Sequence, residues 1–221
     1  MNKVILLCLS LFTIVFSQDF PDSWSQSYCT YDIGVAHAAA TYSLGFGIDN
    51  YCIYERDNDT IAYDERRFDI FARLGLVKKI EMEIKYSYPT SGIVGIKYQL
   101  LENYIDGALK LGFGYMKGTR VGKITDYVFD FYSTFIFSKR FYKNVALYIA
   151  PKIIYSIHAR DRQEHSDRAA VHIFQYGFCI GVALGKNFVI LPETNWLYGD
   201  NEGVSYVVNQ FGIGVDLKIN Q

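Results

Sequence analysis

In the stretch DYVFDFYSTFIF, Asp126 to Phe137, side-chain character alternates residue by residue. Tyr127, Phe129, Phe131, Phe135 and Phe137 share one parity, and Asp126, Asp130, Tyr132 and Thr134 share the other. A period of two is that of a β-strand, whose successive side chains point to opposite faces. A strand carrying four phenylalanines on one face must hide that face. Two shelters exist: a second sheet in a water-soluble sandwich or closed soluble barrel, and the hydrocarbon of a membrane.

The same alternation recurs to the end of the chain. It predicts ten strands, near Thr41–Tyr54, Arg66–Gly75, Ile80–Tyr88, Gly92–Leu101, Ile105–Met116, Asp126–Phe137, Val145–His158, Ala170–Leu184, Phe188–Tyr198 and Val204–Ile219. An even number of antiparallel strands, each with about 9–11 membrane-crossing residues, suits a bacterial transmembrane barrel. The connections LVKK, LENY, SKRFYKN and GKN fall on one side of the expected barrel. The longer ERDNDTIAYDE, MKGTRVGKIT and HARDRQEHSDRA fall on the other. Short periplasmic turns and longer outer loops are the pattern of an outer-membrane barrel.

The contents of the two faces decide between lipid and water. One parity gathers Leu44, Phe46 and Ile48, Leu111 and Phe113, Phe174, Tyr176 and Phe178, and Phe211 and Ile213, with no charge among them. The other carries glycines such as Gly45, Gly47, Gly112, Gly181, Gly212 and Gly214 together with the charged residues. A narrow barrel has little room for the bulky set inside, because interiors are packed to near-crystalline density. With bulk toward lipid and small residues toward the lumen, Phe129, Phe131 and Phe135 face hydrocarbon, and Tyr127 and Phe137 lie nearer the interfacial girdles.

The predicted lumen contains Arg67, Arg73, Lys85, Lys97, Lys110, Lys152 and Lys218 beside Asp69, Glu81, Glu83, Asp130, Glu193 and Asp216. Near balance of sign favours a tube filled by salt-bridged side chains, since an unpaired charge in a partly dehydrated space is costly. Glu81 and Glu83 are each expected to pair with a lumenal Lys or Arg. A narrow conduit lined by Lys97, Lys110, Lys152 and Glu193 is the competing use of the same residues.

Catalytic and metal signals are weak, and no catalytic residue, metal ligand or cofactor is assigned. His165 to Asp167 read HSD, the residue types of a triad, but three consecutive loop residues do not form a nucleophile–base–orienter chain. His158, His165 and His172 are spaced by seven and read as surface residues, and no Cys or His spacing matches a zinc site. A formal charge of −1 implies no nucleic-acid partner.

The opening MNKVILLCLSLFTIVFSQ has a lysine, a short apolar run and small residues at Val15 and Ser17, which together predict a signal peptide over 1–17. The run falls short of the roughly 20 apolar residues of a spanning helix. Residues 18–40 are read as an N-terminal periplasmic segment and 41–221 as the barrel domain. Export permits a disulfide, and Cys29, Cys52 and Cys179 remain after the signal; Cys29 with Cys52 and three free thiols are both left open.

The segments YSLGFGI, LVKKIEMEIKYS, GIVGIKYQLL, ALKLGFGYM, FSKRF, ALYIAPKIIY and QFGIGVDLKI together resemble small bacterial outer-membrane β-barrel proteins of the OmpA-like and OmpX-like architecture. The resemblance covers Thr41 to Ile219 and is geometric in kind. It departs at the end, where such proteins present an aromatic residue and this chain reads KINQ. It implies an all-β fold, a single antiparallel up-and-down transmembrane β-barrel in the bacterial cell outer membrane. The expected role is structural or surface-exposed and non-enzymatic. Outer-membrane lipid is the expected partner, and the Ala159–Ala169 loop is a candidate contact for an extracellular one. Three alternatives stay open: a narrow small-solute channel or transporter, a lipid-modifying enzyme, and a secreted soluble barrel binding an apolar ligand. Lys78, Lys79, Lys139, Arg140 and Lys143, at the short turns, are expected to anchor at the headgroup boundary.

Overall fold

A computed structural model describes residues 29–55, 60–88, 91–120, 124–161, 170–201 and 204–219. Ten strands run in order: β1 Tyr42–Glu55, β2 Thr60–Val77, β3 Ile80–Tyr88, β4 Ser91–Leu101, β5 Asp106–Arg120, β6 Ile124–Tyr142, β7 Val145–Asp161, β8 Ala170–Gly185, β9 Phe188–Asn201 and β10 Val204–Ile219. Each pairs antiparallel with its sequence neighbours, and β1 closes on β10 from Tyr42↔Ile219 to Glu55↔Tyr206. Closure leaves no free edge, so the backbone groups of the wall are satisfied within it.

The alternation of the sequence becomes the two faces of this wall. Along β4 the inward residues Ile93, Gly95, Lys97 and Gln99 are buried, while Val94, Ile96, Tyr98 and Leu100 are exposed on the outside. Around the barrel the exposed set is apolar: Leu44, Phe46 and Ile48 on β1, Phe131, Phe135 and Phe137 on β6, Phe174 and Tyr176 on β8, and Phe211 and Ile213 on β10. Aromatic rings cross the strand boundaries on this surface, with Phe113 5.4 Å from Phe131 and Phe178 5.3 Å from Trp196 between ring centroids. An uncharged, aromatic exterior around a charged interior is stable only in hydrocarbon, and it makes this an outer-membrane β-barrel rather than a soluble one. The alternative of a soluble barrel with its apolar parity inside is thereby overturned.

Several strands outrun their expected limits. β2 begins at Thr60 instead of Arg66, β5 reaches Arg120, β7 reaches Asp161 and β9 reaches Asn201. Above the membrane both faces meet water, so hydrophobic alternation fades although the ladder continues. The expected long loops are therefore largely tall hairpins. Residues 56–59, 121–123 and 162–169, which include His165, Ser166 and Asp167 and most of the Ala159–Ala169 loop, lie outside the described residues, as do 1–28 and the expected signal peptide. At the short-turn end β6 continues to Tyr142, which shortens SKRFYKN to a turn at Lys143–Asn144.

Two prolines mark gaps in the ladder: Pro192 of β9, where Val182–Pro192 and Ala183–Leu191 are skipped between β8 and β9, and Pro151 of β7. The β6–β7 register pairs Thr134 with Lys152 and Phe137 with Ile149, and skips Phe135–Pro151 and Ile136–Ala150 between them. Pro151 has no N–H to give to β6. On the outer surface beside it, Phe135, Pro151, Ile153, Tyr176, Phe178 and Tyr198 line a groove of about 430 Å³.

Candidate functional site

The lumen is organised around a strap, residues 29–41, that precedes β1. It turns back at the short-turn end, where Ala40 N–H donates to Gly75 O at 2.9 Å and Gly75 N–H to Thr41 O at 2.9 Å. From there it runs up the interior, and Cys29, Thr30, Tyr31 and Asp32 are buried among wall side chains. The reading of 18–40 as periplasmic thus fails for residues 29–37. That stretch, CTYDIGVAH, mixes polar and apolar residues without periodicity, and nothing in it distinguishes a tail in water from a segment held in a barrel.

The strap is not a strand of the wall. Its peptide groups are met by wall side chains, one after another. The Glu193 carboxylate accepts the Thr30 N–H at 2.6 Å and the Tyr31 N–H at 2.7 Å. Ser138 Oγ accepts from Gly34 N–H at 3.0 Å, Gln99 Oε1 from Ala36 N–H at 3.1 Å, and Glu81 from His37 N–H at 2.8 Å. The carbonyls are met from cations: Lys85 donates to Cys29 O at 2.8 Å, Arg73 to Tyr31 O at 2.5 Å and Lys97 to Val35 O at 3.1 Å. Each of these groups would otherwise be a buried, unpaired polar atom.

Two strap side chains are also recognised. Asp32 takes Lys97 at 2.8 Å, with Lys110 at 3.7 Å and Arg73 at 3.9 Å. The Tyr31 ring lies in a slot floored by glycines. A Cβ added at Gly47 would come within 2.5 Å of the ring, at Gly212 within 2.3 Å of its hydroxyl, and at Gly214 within 2.7 Å of it. Phe71 stacks on it at 6.0 Å and itself overlies Gly45, where a Cβ would sit 2.1 Å away. These glycines, read from sequence only as small lumenal residues, make room for rings. Tyr31 itself has φ of 44°, a left-handed conformation that a non-glycine residue keeps only when its surroundings hold it there.

The thirteen lumenal charges expected from the sequence lie on the inward parity, and most are gathered into one network. Arg73 pairs with Glu83 at 2.7 Å and Asp216 at 3.0 Å; Lys110 pairs with Glu83 at 2.5 Å, Lys97 with Glu81 at 2.9 Å and Lys85 with Asp69 at 3.0 Å. Asp69 also accepts a short hydrogen bond from Ser87. Lys152 donates to Thr30 Oγ1 at 2.8 Å and Asn195 Oδ1 at 2.6 Å. Arg67 and Asp130 are buried toward the long-loop end, where Asp130 accepts from Tyr132 OH at 3.0 Å; Lys218 sits half-buried near the short-turn rim. Glu193 departs from the salt-bridge expectation. Its oxygens are filled by the two strap amides, by Tyr148 OH at 2.7 Å and by Asn195 Nδ2 at 2.9 Å. Asp49, not singled out from the sequence, is buried beside this network and accepts from Gln210 at 2.6 Å. Its place at the inward parity of YSLGFGID was the available signal.

Above the strap the lumen changes character. Ile53, Ile154, Ile173, Leu197, Tyr206 and Val208 form a buried apolar layer along β1 and β7–β10, with Tyr132 of β6 packed against it and buried Asp130, Ser156 and Gln175 at the same level. This layer was missed because single inward isoleucines and leucines are inconspicuous beside the outward aromatic rows. Between strap and wall a cavity of about 40 Å³ remains, lined by Cys29, Thr30, Glu83, Lys85, Lys110 and Tyr132 among others. That is room for a water or two.

The three described cysteines are free thiols. Cys29 is in the lumen, and Cys52 lies on the outward parity of β1, so the wall separates the pair considered from sequence. His158 and His172 occupy β7 and β8, and His172 Nδ1 lies 2.7 Å from Tyr155 OH on the outer surface. Among the described residues no cluster of His, Cys, Asp and Glu is placed to hold a metal.

No protein-family model matches the chain, and no curated protein matches it in sequence. Solved structures of similar shape include the following. Neisserial surface protein A is 10% identical, with 80% of this chain and 97% of that chain covered and a TM-score of 0.44. The attachment invasion locus protein Ail of Yersinia pestis, solved with the heparin analogue sucrose octasulfate, is 13% identical, with 81% and 99% covered and a TM-score of 0.42. The outer membrane protease OmpT of Escherichia coli is 10% identical, with 81% and 95% covered and a TM-score of 0.43.

Proposed function

We propose that this outer-membrane barrel is a sealed, non-enzymatic protein whose role is structural or exerted at the cell surface, and that its lumen does not pass solutes. The observation that carries this reading is the filling of the lumen in two layers. The lower is strap and ion pairs; the upper is the apolar layer from Ile53 to Val208. The cavity of about 40 Å³ between strap and wall has room for water but not for a larger solute. An apolar constriction resists ion passage by excluding water, independently of the charges below it. Three of the lumenal carboxylates are occupied: Glu193 by four donors, and Glu81 and Glu83 by cations.

Planar-bilayer recording on the purified, heat-modifiable protein tests this. The expected trace has no conductance steps at moderate voltage. Reproducible steps in the unmodified protein would overturn the reading in favour of the narrow-channel alternative.

A further inference from the structure

The strap is joined to the barrel as a ligand is joined to a receptor. From Tyr42 onward the wall is closed by its own ladder, so it needs no hydrogen bond from residues 29–37. The wall's ion pairs likewise persist without the strap: Arg73 with Glu83 and Asp216, Lys97 with Glu81, and Lys85 with Asp69. Glu193 remains oriented by Tyr148 and Asn195. The vacated site is therefore preorganised and charge-paired, the condition under which binding loses least to reorganisation. The tether is slight, since Ala38, Ala39 and Ala40 are exposed at the short-turn end and Ala40 turns with φ of 61°.

We infer that the lower lumen is a binding site for a peptide segment with the core pattern aromatic–acidic–any–glycine, which Tyr31-Asp32-Ile33-Gly34 occupies in cis as an exchangeable, tethered ligand. Backbone recognition by Glu193, Gln99 and Lys97 fixes the course of the chain irrespective of sequence, with the aromatic residue held in the left-handed turn seen at Tyr31. The pattern comes from three positions. The glycine slot of Gly47, Gly212 and Gly214 takes a flat ring. The ammonium of Lys97 takes a carboxylate one residue on. At Gly34 an added Cβ would lie 2.5 Å from the backbone oxygen of Asp106, so no side chain fits there. The strap itself enters at the short-turn end, where Ala40 bonds Gly75, and a peptide enters there too, the end that outer-membrane topology places in the periplasm. A segment of another exported protein with this pattern is the ligand class. The inference concerns the lower lumen alone and holds whether or not the barrel conducts.

The test uses the full chain with a specific protease sequence placed across residues 38–40, folded, cut, and offered a fluorescent synthetic peptide spanning 29–37. Uptake of one peptide per cut barrel, with none by the uncut barrel, is expected. Changing the peptide by Asp32→Asn or Gly34→Val should weaken uptake at least tenfold, as should Glu193→Gln in the barrel, and a scrambled peptide should not bind. A barrel lacking 18–37 is the second receptor, used if it retains heat-modifiability. If the cut barrel keeps its shape on the gel yet takes up no peptide, even after mild urea has washed out its own fragment, the inference is overturned. Equal uptake of the native and scrambled peptides overturns it as well.

Discussion

Arg73 is the residue on which the lower lumen turns, because its guanidinium touches Glu83, Asp216 and the Tyr31 carbonyl within 3.0 Å. Arg73→Met takes from buried Asp216 the cation it pairs with and leaves Glu83 with Lys110 alone. Removing one partner of a buried pair costs about 3–5 kcal/mol, and the urea midpoint of the variant in lipid should fall accordingly. The Tyr31 slot makes a prediction of opposite signs. Gly47→Val places a branched side chain where the ring lies, and it should free the strap for proteolysis in the folded barrel. Adding Tyr31→Ala should lower the destabilisation, a coupling of about 0.5–3 kcal/mol in a double-mutant cycle. A double mutant as destabilised as the sum of the singles would refute the contact. That the lumen holds Arg73, Glu81, Glu83 and Lys97 was legible in the sequence, because parity alone assigns a side chain to one face. Which of them pair was not. Arg73 of β2 reaches Asp216 of β10 across the closure, a proximity no local pattern encodes.

At the scale of the strand, Pro151 is the instructive position. It lies in the middle of β7, within lipid, where the wall forgoes a ladder bond to β6. Pro151→Ala should restore a donor opposite Phe135 and close the skipped pairs. The gain expected from one hydrogen bond is about 1 kcal/mol, read as a raised denaturant midpoint, with slowed amide exchange at Ile136 and Phe137 as the local signature. Exchange unchanged at those sites would show the interruption to have another cause. Strand existence was readable wherever one face meets lipid and the other the lumen, as in β3, whose limits Ile80–Tyr88 coincide with those expected. Strand ends were not readable at the long-loop end, where Thr60–Glu65 of β2 carries no apolar alternation and its pairing with β1 alone extends it.

For the molecule as a whole, the two layers of the lumen should fail separately. Cutting the strap should leave the barrel electrically silent, because Ile154 and Leu197 still close the upper layer. Replacing both with serine in the cut barrel should wet that layer and let current steps appear in planar bilayers. Steps in the cut barrel without those substitutions would show that the strap alone is the seal.

By itself the sequence determined that this chain is made of alternating strands, and it favoured a barrel in a membrane while leaving a soluble barrel open. A period of two with most of the bulk on one parity and the glycines and charges on the other is most easily housed with the bulk in lipid, an inference that needs only the geometry of a strand and the solvent preferences of side chains. The tertiary structure alone decided what fills the barrel. Whether a segment without periodicity such as 29–37 lies in water or in a lumen depends on groups far along the chain, among them Glu193, Gln99 and Lys97, that satisfy its backbone. Hydrogen bonds between distant residues leave no periodicity in either partner, so closure of the sheet had to bring them together before the site existed.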